Sequence, residues 1–333
     1  MAENTKIEWA THTFNPWVGC TKISPACDNC YAEGWAKRCG IVKWGTHEPR
    51  VRTSAENWKQ PLKWNRDAKI AQNAWEEFKR TNPGLTDAEL IEKGFVKPKR
   101  PRVFCASLAD VFDNAVPDEW RADLFTLIAA TPYLDWLLLT KRIGNVEKML
   151  RDAICGDVNG FQNYSHPLIP HHDNVWLGIT VSNQQEADRD IPKLIKNYAG
   201  KRFLSIEPML GEIELKIDSC RDPFYRVNPC PIDWVICGGE SGSKARPLNP
   251  QWVRNLRDQC AAADVPFFFK QWGEWLPRSS VYHKFLDGTS LEEIDPDCKK
   301  WDCVRHDDVY MQRVGKKKAG RLLDGREWNE VPN

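Results

Sequence analysis

The chain has no apolar run long enough to span a membrane, and its start, Met1-Ala2-Glu3-Asn4-Thr5-Lys6, lacks the basic-then-apolar layout of a secretory signal. These absences predict a cytoplasmic protein without membrane contact. A dinucleotide glycine fingerprint, a P-loop, an HExxH helix, a deaminase signature and a Ser/His/Asp arrangement are missing as well. A charge excess is absent too: 47 Lys and Arg stand against 46 Asp and Glu, a formal +1, so no global field draws the chain to nucleic acid. Any such contact must come from local runs such as Lys97-Pro98-Lys99-Arg100-Pro101-Arg102 and Lys316-Lys317-Lys318. Histidine is sparse and scattered: His12 is expected to pack or hydrogen-bond locally, and His171-His172 to lie at the surface.

What is present describes a folded chain. The 333 residues suffice for one large α/β domain or two ordinary ones, and 41% hydrophobic residues with 16 Trp argue against disorder. The 12 cysteines do not form a secreted scaffold, because most sit singly in apolar segments such as Val103-Phe104-Cys105-Ala106 and Val235-Ile236-Cys237-Gly238. They read as small buried hydrophobes in a reducing compartment.

From residue 101 onward, apolar strand-type runs alternate with helical patterns. The runs are Arg102 to Ser107, Leu134 to Arg142, Val175 to Asn183, Lys201 to Pro208, Ile232 to Gly242 and Val265 to Gly273. Helices are predicted across 117–130, 146–154, 186–197 and 250–263, and earlier across 67–94 with a break at Asn82-Pro83-Gly84 and a cap at Thr86. With a first strand near Thr13 to Val18 there are about seven strands, continuous and apolar as in a parallel sheet covered on both faces. The expected fold is a full or partial (β/α) TIM-type barrel over residues 1–276, with insertions near 40–100 and 215–231, and an irregular extension over 277–333 packed on it.

In such a barrel the residues that end the strands converge on one active face. Here they are Ser107 with Asp110 and Asp113, Thr140-Lys141-Arg142, Thr180 with Ser182 and Asn183, Glu207, Glu240 with Ser241, and Lys270-Gln271-Trp272. A carboxylate directly after an apolar strand must be paired or liganded, which singles out Glu207, and the glycines around Glu240 let backbone approach a ligand closely. Beside them lies a loop with three cysteines, Cys20, Cys27 and Cys30. That spacing suits a soft metal: either a structural zinc completed by Cys39, or a cubane that leaves one iron open.

Phe14-Asn15-Pro16-Trp17-Val18-Gly19-Cys20, Cys27-Asp28-Asn29-Cys30-Tyr31-Ala32, Leu139-Thr140-Lys141-Arg142, Ser205-Ile206-Glu207-Pro208 and Gly238-Gly239-Glu240-Ser241-Gly242 carry a resemblance. The chain resembles the radical S-adenosylmethionine (radical SAM) superfamily, most nearly its phage- and prophage-associated three-cysteine-motif proteins, and is distantly similar to photoproduct lyases. It departs from the common C-x3-C-x2-C pattern, with six residues between Cys20 and Cys27. The resemblance implies a [4Fe-4S] cluster on Cys20, Cys27 and Cys30, S-adenosylmethionine on the open iron, radical chemistry, and a flavodoxin- or ferredoxin-type electron donor. Ser107 or Asp110 would replace the family's glycine-rich turn. Thr180, Ser182 and Asn183 would hold ribose or methionine, and Glu207, Glu240 and Lys270 would orient cofactor or substrate. A nucleic-acid substrate is the accompanying expectation. The alternative is a zinc-stabilised α/β binding protein with Cys20, Cys27, Cys30 and Cys39 as ligands.

Overall fold

The computed structural model describes residues 3–155, 173–217, 230–277, 303–306 and 309–332. In chain order, β1 (His12–Phe14) and β2 (Trp17–Val18) lead through the cysteine loop to α1 (Tyr31–Cys39). There follow β3 (Val51–Arg52), α2 (Ala55–Thr81), α3 (Asp87–Glu92), β4 (Arg102–Cys105), α4 (Asp118–Ala129), β5 (Asp135–Thr140) and α5 (Ile143–Cys155). The repeat continues with β6 (Val175–Thr180), α6 (Gln184–Lys196), β7 (Lys201–Ile206), β8 (Trp234–Gly238), α7 (Pro250–Ala262) and β9 (Phe267–Gln271). Last come β10 (Trp275–Pro277), β11 (Cys303–His306), β12 (Val309–Arg313) and α8 (Lys316–Ala319).

Seven strands form one parallel sheet in the order β1-β4-β5-β6-β7-β8-β9, so each crossover adds the next strand on the same side. The sheet stays open, with β1 and β9 at its edges: it is a curled half-barrel, and of the two expected architectures the full barrel is not formed. The curl can be read from one indole. Trp9 lies 4.6 Å from the Phe104 ring on β4 and 6.4 Å from the Trp234 ring on β8. Those strands are four steps apart, roughly 19 Å in a flat sheet at the usual strand spacing. Only a strongly curved sheet brings both to the same side chain.

Alternation along the strands sorts the apolar residues into two layers. Val103, Trp136, Leu138, Leu177 and Leu204 face the helices and join Leu124, Val146, Leu194 and Leu256 in the main core. Phe104, Leu137, Trp176, Phe203, Trp234 and Phe268 face inward and close on Trp9. The concave side is therefore filled by aromatics up to the middle of the strands. Gly178 belongs to this layer because the Phe203 ring occupies its side-chain space: a Cβ there would lie 2.3 Å from Phe203.

Three local departures from expectation have plain causes. The helix predicted from residue 67 starts a full twelve residues earlier as α2, after Ser54, whose hydroxyl accepts from the Asn57 N–H. Pro61 falls in the second turn of α2, where it has no N–H to donate to the Asn57 carbonyl. The first strand is split at Asn15-Pro16, so β1 joins the large sheet while β2 pairs antiparallel with β3. Pro117 precedes α4 as its N-cap instead of opening its first turn. The capping box at Thr86 and Glu89 is formed. His171-His172 and most of the 215–231 insertion lie outside the described residues. Among the described residues no helix is long and apolar enough to cross a membrane.

Candidate functional site

The inward parity that builds the aromatic layer continues past it and turns polar. On β7 Phe203 is followed on the same face by Ser205 and Glu207, on β9 Phe268 by Lys270, and on β6 Trp176 by Gly178 and Thr180. These residues line a cavity of ≈ 440 Å³ at the carboxyl ends of the strands, with Trp9, Phe104 and Leu139 also in its wall. Its volume falls in the range of small-molecule sites, roughly 300–1,000 Å³.

Three buried or half-buried carboxylates in that wall differ in how fully they are engaged. Asp110 accepts from the Phe112 N–H at 3.0 Å, the Thr140 hydroxyl at 2.8 Å, the Lys141 N–H at 3.1 Å and Arg142 Nη1 at 3.0 Å. It thereby ties the end of β4 to the end of β5. Glu240 accepts from Asn29 Nδ2 at 3.0 Å and from the N–H, Nε and Nη2 of Arg246 at 2.8, 2.9 and 2.7 Å. Burial opposes charge on Glu240, and the Arg246 and Asn29 bonds outweigh it, holding the carboxyl below its usual value. Among the described residues Glu207 has two partners, Lys270 Nζ at 2.9 Å and the Ser205 hydroxyl at 3.3 Å.

The glycines beside Glu240 serve strand packing. A Cβ on Gly239 would lie 2.0 Å from the Trp272 carbonyl oxygen, so two strand-end backbones meet where only glycine fits. The close approach expected toward a ligand is made to the protein's own backbone instead. At Gly238 a Cβ would lie 3.0 Å from Glu207 Oε1, which leaves that carboxylate its place.

The cysteine loop is bolted across the mouth. Ser24 caps a 3-10 turn (Pro25–Cys27) and donates its hydroxyl to Glu186 Oε1 at 2.6 Å, while Glu186 Oε2 accepts from the Ser182 hydroxyl and N–H. Arg246 reaches Asp28 at 3.0 Å and the Pro25 carbonyl at 2.9 Å. Arg50, wholly buried, joins Asp113 at 2.7 Å and the Thr21 hydroxyl at 2.8 Å. Tyr31 donates its O–H to the Ser107 carbonyl at 2.7 Å, and Asn15 bonds the Ser107 hydroxyl.

Of the residues singled out from sequence, Cys20, Cys27, Cys30, Ser107, Asp110, Thr180, Glu207, Glu240 and Lys270 all border the cavity. Ser182 and Asn183 do not: Ser182 bonds Glu186, and Asn183 caps α6 by accepting from the Glu186 N–H. His12 is buried, stacks on Trp64 with ring centroids 4.3 Å apart and accepts from the Asn4 N–H, and burial lowers its pKa. The sequence reading missed Arg50, Arg246, Asn29 and the wall role of Trp9. The two arginines lie in irregular segments, where no periodicity marks a partner.

The cluster expectation is corrected here. Among the described residues no group of three or more Cys, His, Asp or Glu side chains is arranged to hold a metal ion. Burial, with Asp110 nearby, pushes the Cys20 thiol up to about 12 despite Arg142. Its sulfur is engaged locally, with the Thr21 carbonyl at 3.6 Å and Arg142 Nη1 at 3.5 Å. Cys39, the fourth ligand of the zinc alternative, is exposed at the far end of α1. The [4Fe-4S] cluster on Cys20, Cys27 and Cys30, the S-adenosylmethionine bound to it, the radical chemistry and the zinc site all fall with that finding.

Comparison with known proteins gives the same correction. A family described as "Protein of unknown function (DUF5131)" matches residues 4–332. The chain belongs to this family. The match runs through nearly the whole DUF5131 chain, whose membership replaces the radical SAM resemblance as its identification. No curated protein and no solved structure matches it.

Proposed function

We propose that this chain binds a small polar molecule in the mouth of the half-barrel, and that the Glu207–Lys270 pair engages it. One observation carries the proposal. Of the cavity carboxylates described above, Asp110 and Glu240 each accept four hydrogen bonds from the protein, whereas Glu207 accepts two. A carboxylate has about four acceptor positions, so Glu207 keeps capacity for a ligand while the others are spent on holding the mouth together. In this proposal Asp110, Glu240 and Ser107 are positioning residues, and Thr180 offers a hydroxyl from the wall. The aromatic floor and polar rim match the usual composition of a ligand site.

The test is a fragment screen by ligand-observed NMR on the full chain, repeated on Glu207→Gln and Lys270→Met. Fragments that bind the wild type and are weakened in both variants support the proposal. Hits that bind both variants unchanged would refute it.

A nucleic-acid partner is a second reading, favoured by α8, whose Lys316 reaches the cavity wall with Lys317 and Lys318 exposed beside it. The run at 97–102 adds little, since Lys97 pairs with Asp87 at 2.8 Å and Arg100 with Asp135 at 2.9 Å. Binding of a single-stranded oligonucleotide that weakens steeply with salt would support it, and no binding at low salt would count against it. A cytoplasmic setting accords with eight described cysteines that are all free thiols.

A further inference from the structure

We infer that the ligand of this mouth is an anion and that Lys141 is its anchor, an inference that rests on the proposed function above. The three inner carboxylates of the cavity wall each own a cation: Asp110 has Arg142 at 3.0 Å, Glu207 has Lys270 at 2.9 Å, and Glu240 has Arg246 at 2.7 Å. At the outer rim Lys6 and Glu8, both exposed, carry one charge of each sign. That leaves Lys141 and Lys316.

Lys141 is the informative one. It is half-buried, and among the described residues no carboxylate lies within ion-pair distance of it; its ammonium group donates to the Thr180 hydroxyl at 3.3 Å. The backbone beneath it is fixed, because its own N–H is bonded to Asp110 and the N–H of Arg142 to the Thr140 hydroxyl. An ammonium group held at a strand end, partly out of water and without a counter-charge, is stabilised by an anion that arrives from outside. Lys316, contributed by α8, adds a second ammonium to the same wall, likewise without a carboxylate at ion-pair distance among the described residues. Among the described residues the wall therefore carries positive charge without a matching carboxylate, above a floor of Trp9, Phe104 and Leu139. The chemistry that fits is a carboxylate or phosphate group on a molecule with an apolar, planar part.

The experiment titrates the full chain with three probes of similar shape, phenyl phosphate, benzoate and uncharged benzyl alcohol, read by tryptophan fluorescence and ligand-observed NMR. The charged probes should bind about tenfold or more tighter than the alcohol, as loss of a hydrogen bond to a charged group implies. Lys141→Met should remove that preference and Lys141→Arg should retain part of it. A larger effect of Lys316→Met on phenyl phosphate than on benzoate would identify the phosphate, and an equal effect the carboxylate. Should Lys141→Met fail to fold by thermal melt, Thr180→Val, which removes the hydroxyl holding the ammonium group, serves in its place. If benzyl alcohol binds as tightly as the anions, or if the preference survives Lys141→Met, the anion inference is overturned while the ligand-site proposal stands. If no probe binds the wild type, the inference is overturned. If probes bind but Glu207→Gln and Thr180→Val leave every affinity unchanged, the ligand-site proposal fails with it.

Discussion

Removing the Arg246 side chain is the sharpest test of how the mouth is held together. Arg246→Met deletes two of the four bonds that Glu240 accepts, those from Nε and Nη2, and spares the backbone N–H and Asn29. It also cuts the bonds to Asp28 and to the Pro25 carbonyl that tie down the cysteine loop. Each charge-assisted bond to a buried carboxylate is worth roughly 1.5–3 kcal/mol, but Arg246 keeps a third of its side chain in solvent. A loss of about 2 kcal/mol at neutral pH follows. The sign of its pH dependence is fixed by the direction of the Glu240 shift. Its folded carboxyl lies below the unfolded value of 4.5, so its stabilising contribution is fully present above 4.5 and disappears as pH falls through the folded value. In the variant burial is less opposed and the folded value rises. The stability gap between wild type and variant, measured by urea unfolding, should thus be widest at neutral pH and narrow as pH drops below 4.5. Hydrogen exchange should quicken at residues 25–29. A gap that is independent of pH, or exchange in the loop that is unaltered, would refute the reasoning.

Other changes probe the two layers beneath and beside the mouth. Gly178→Ala drives a methyl to 2.3 Å from the Phe203 ring and should cost about 1–3 kcal/mol, seen as a lower urea midpoint; an unchanged midpoint would mean the inner layer is looser than described. Trp9→Ala empties the centre of that layer and should cost about 3–5 kcal/mol, with loss of the probe binding proposed above, because floor and core share the same ring. Brief alkylation of the native chain at mildly alkaline pH should label exposed Cys39 and spare Cys20, whose thiol is pushed up to about 12. Rapid labelling of Cys20, mapped by peptide mass, would contradict that account.

The half-barrel was legible because its strands are buried on both faces, and burial leaves a continuous apolar run that needs no partner to be recognised. The runs containing Val103, Leu138, Ile179, Leu204, Ile236 and Phe269 each locate a strand of the sheet. The mouth was legible to the extent that strand parity carries over. Once Phe203 and Phe268 are known to face inward, Glu207 and Lys270 follow at even steps, and they meet at 2.9 Å. What could not be read was the use made of each polar group. Asp110 and Glu207 look alike as carboxylates near strand ends, yet one is saturated by backbone and side-chain donors from β5 and its loop, and the other is not. That difference depends in part on Arg142, which reaches Asp110 over a sequence separation of 32 residues with no repeat to announce it. The cysteines mislead for the same reason. Spacing along a chain states what a loop could bind if its thiols turned to a common point, whereas burial and hydrogen bonding decide whether they do. Around Cys20, Arg142 divides its donors between Asp110, the Thr21 carbonyl and the sulfur itself. Among the described residues the cations of the mouth without a carboxylate at ion-pair distance are then not at the cysteines but are Lys141, one residue from that arginine and turned toward Thr180, and Lys316.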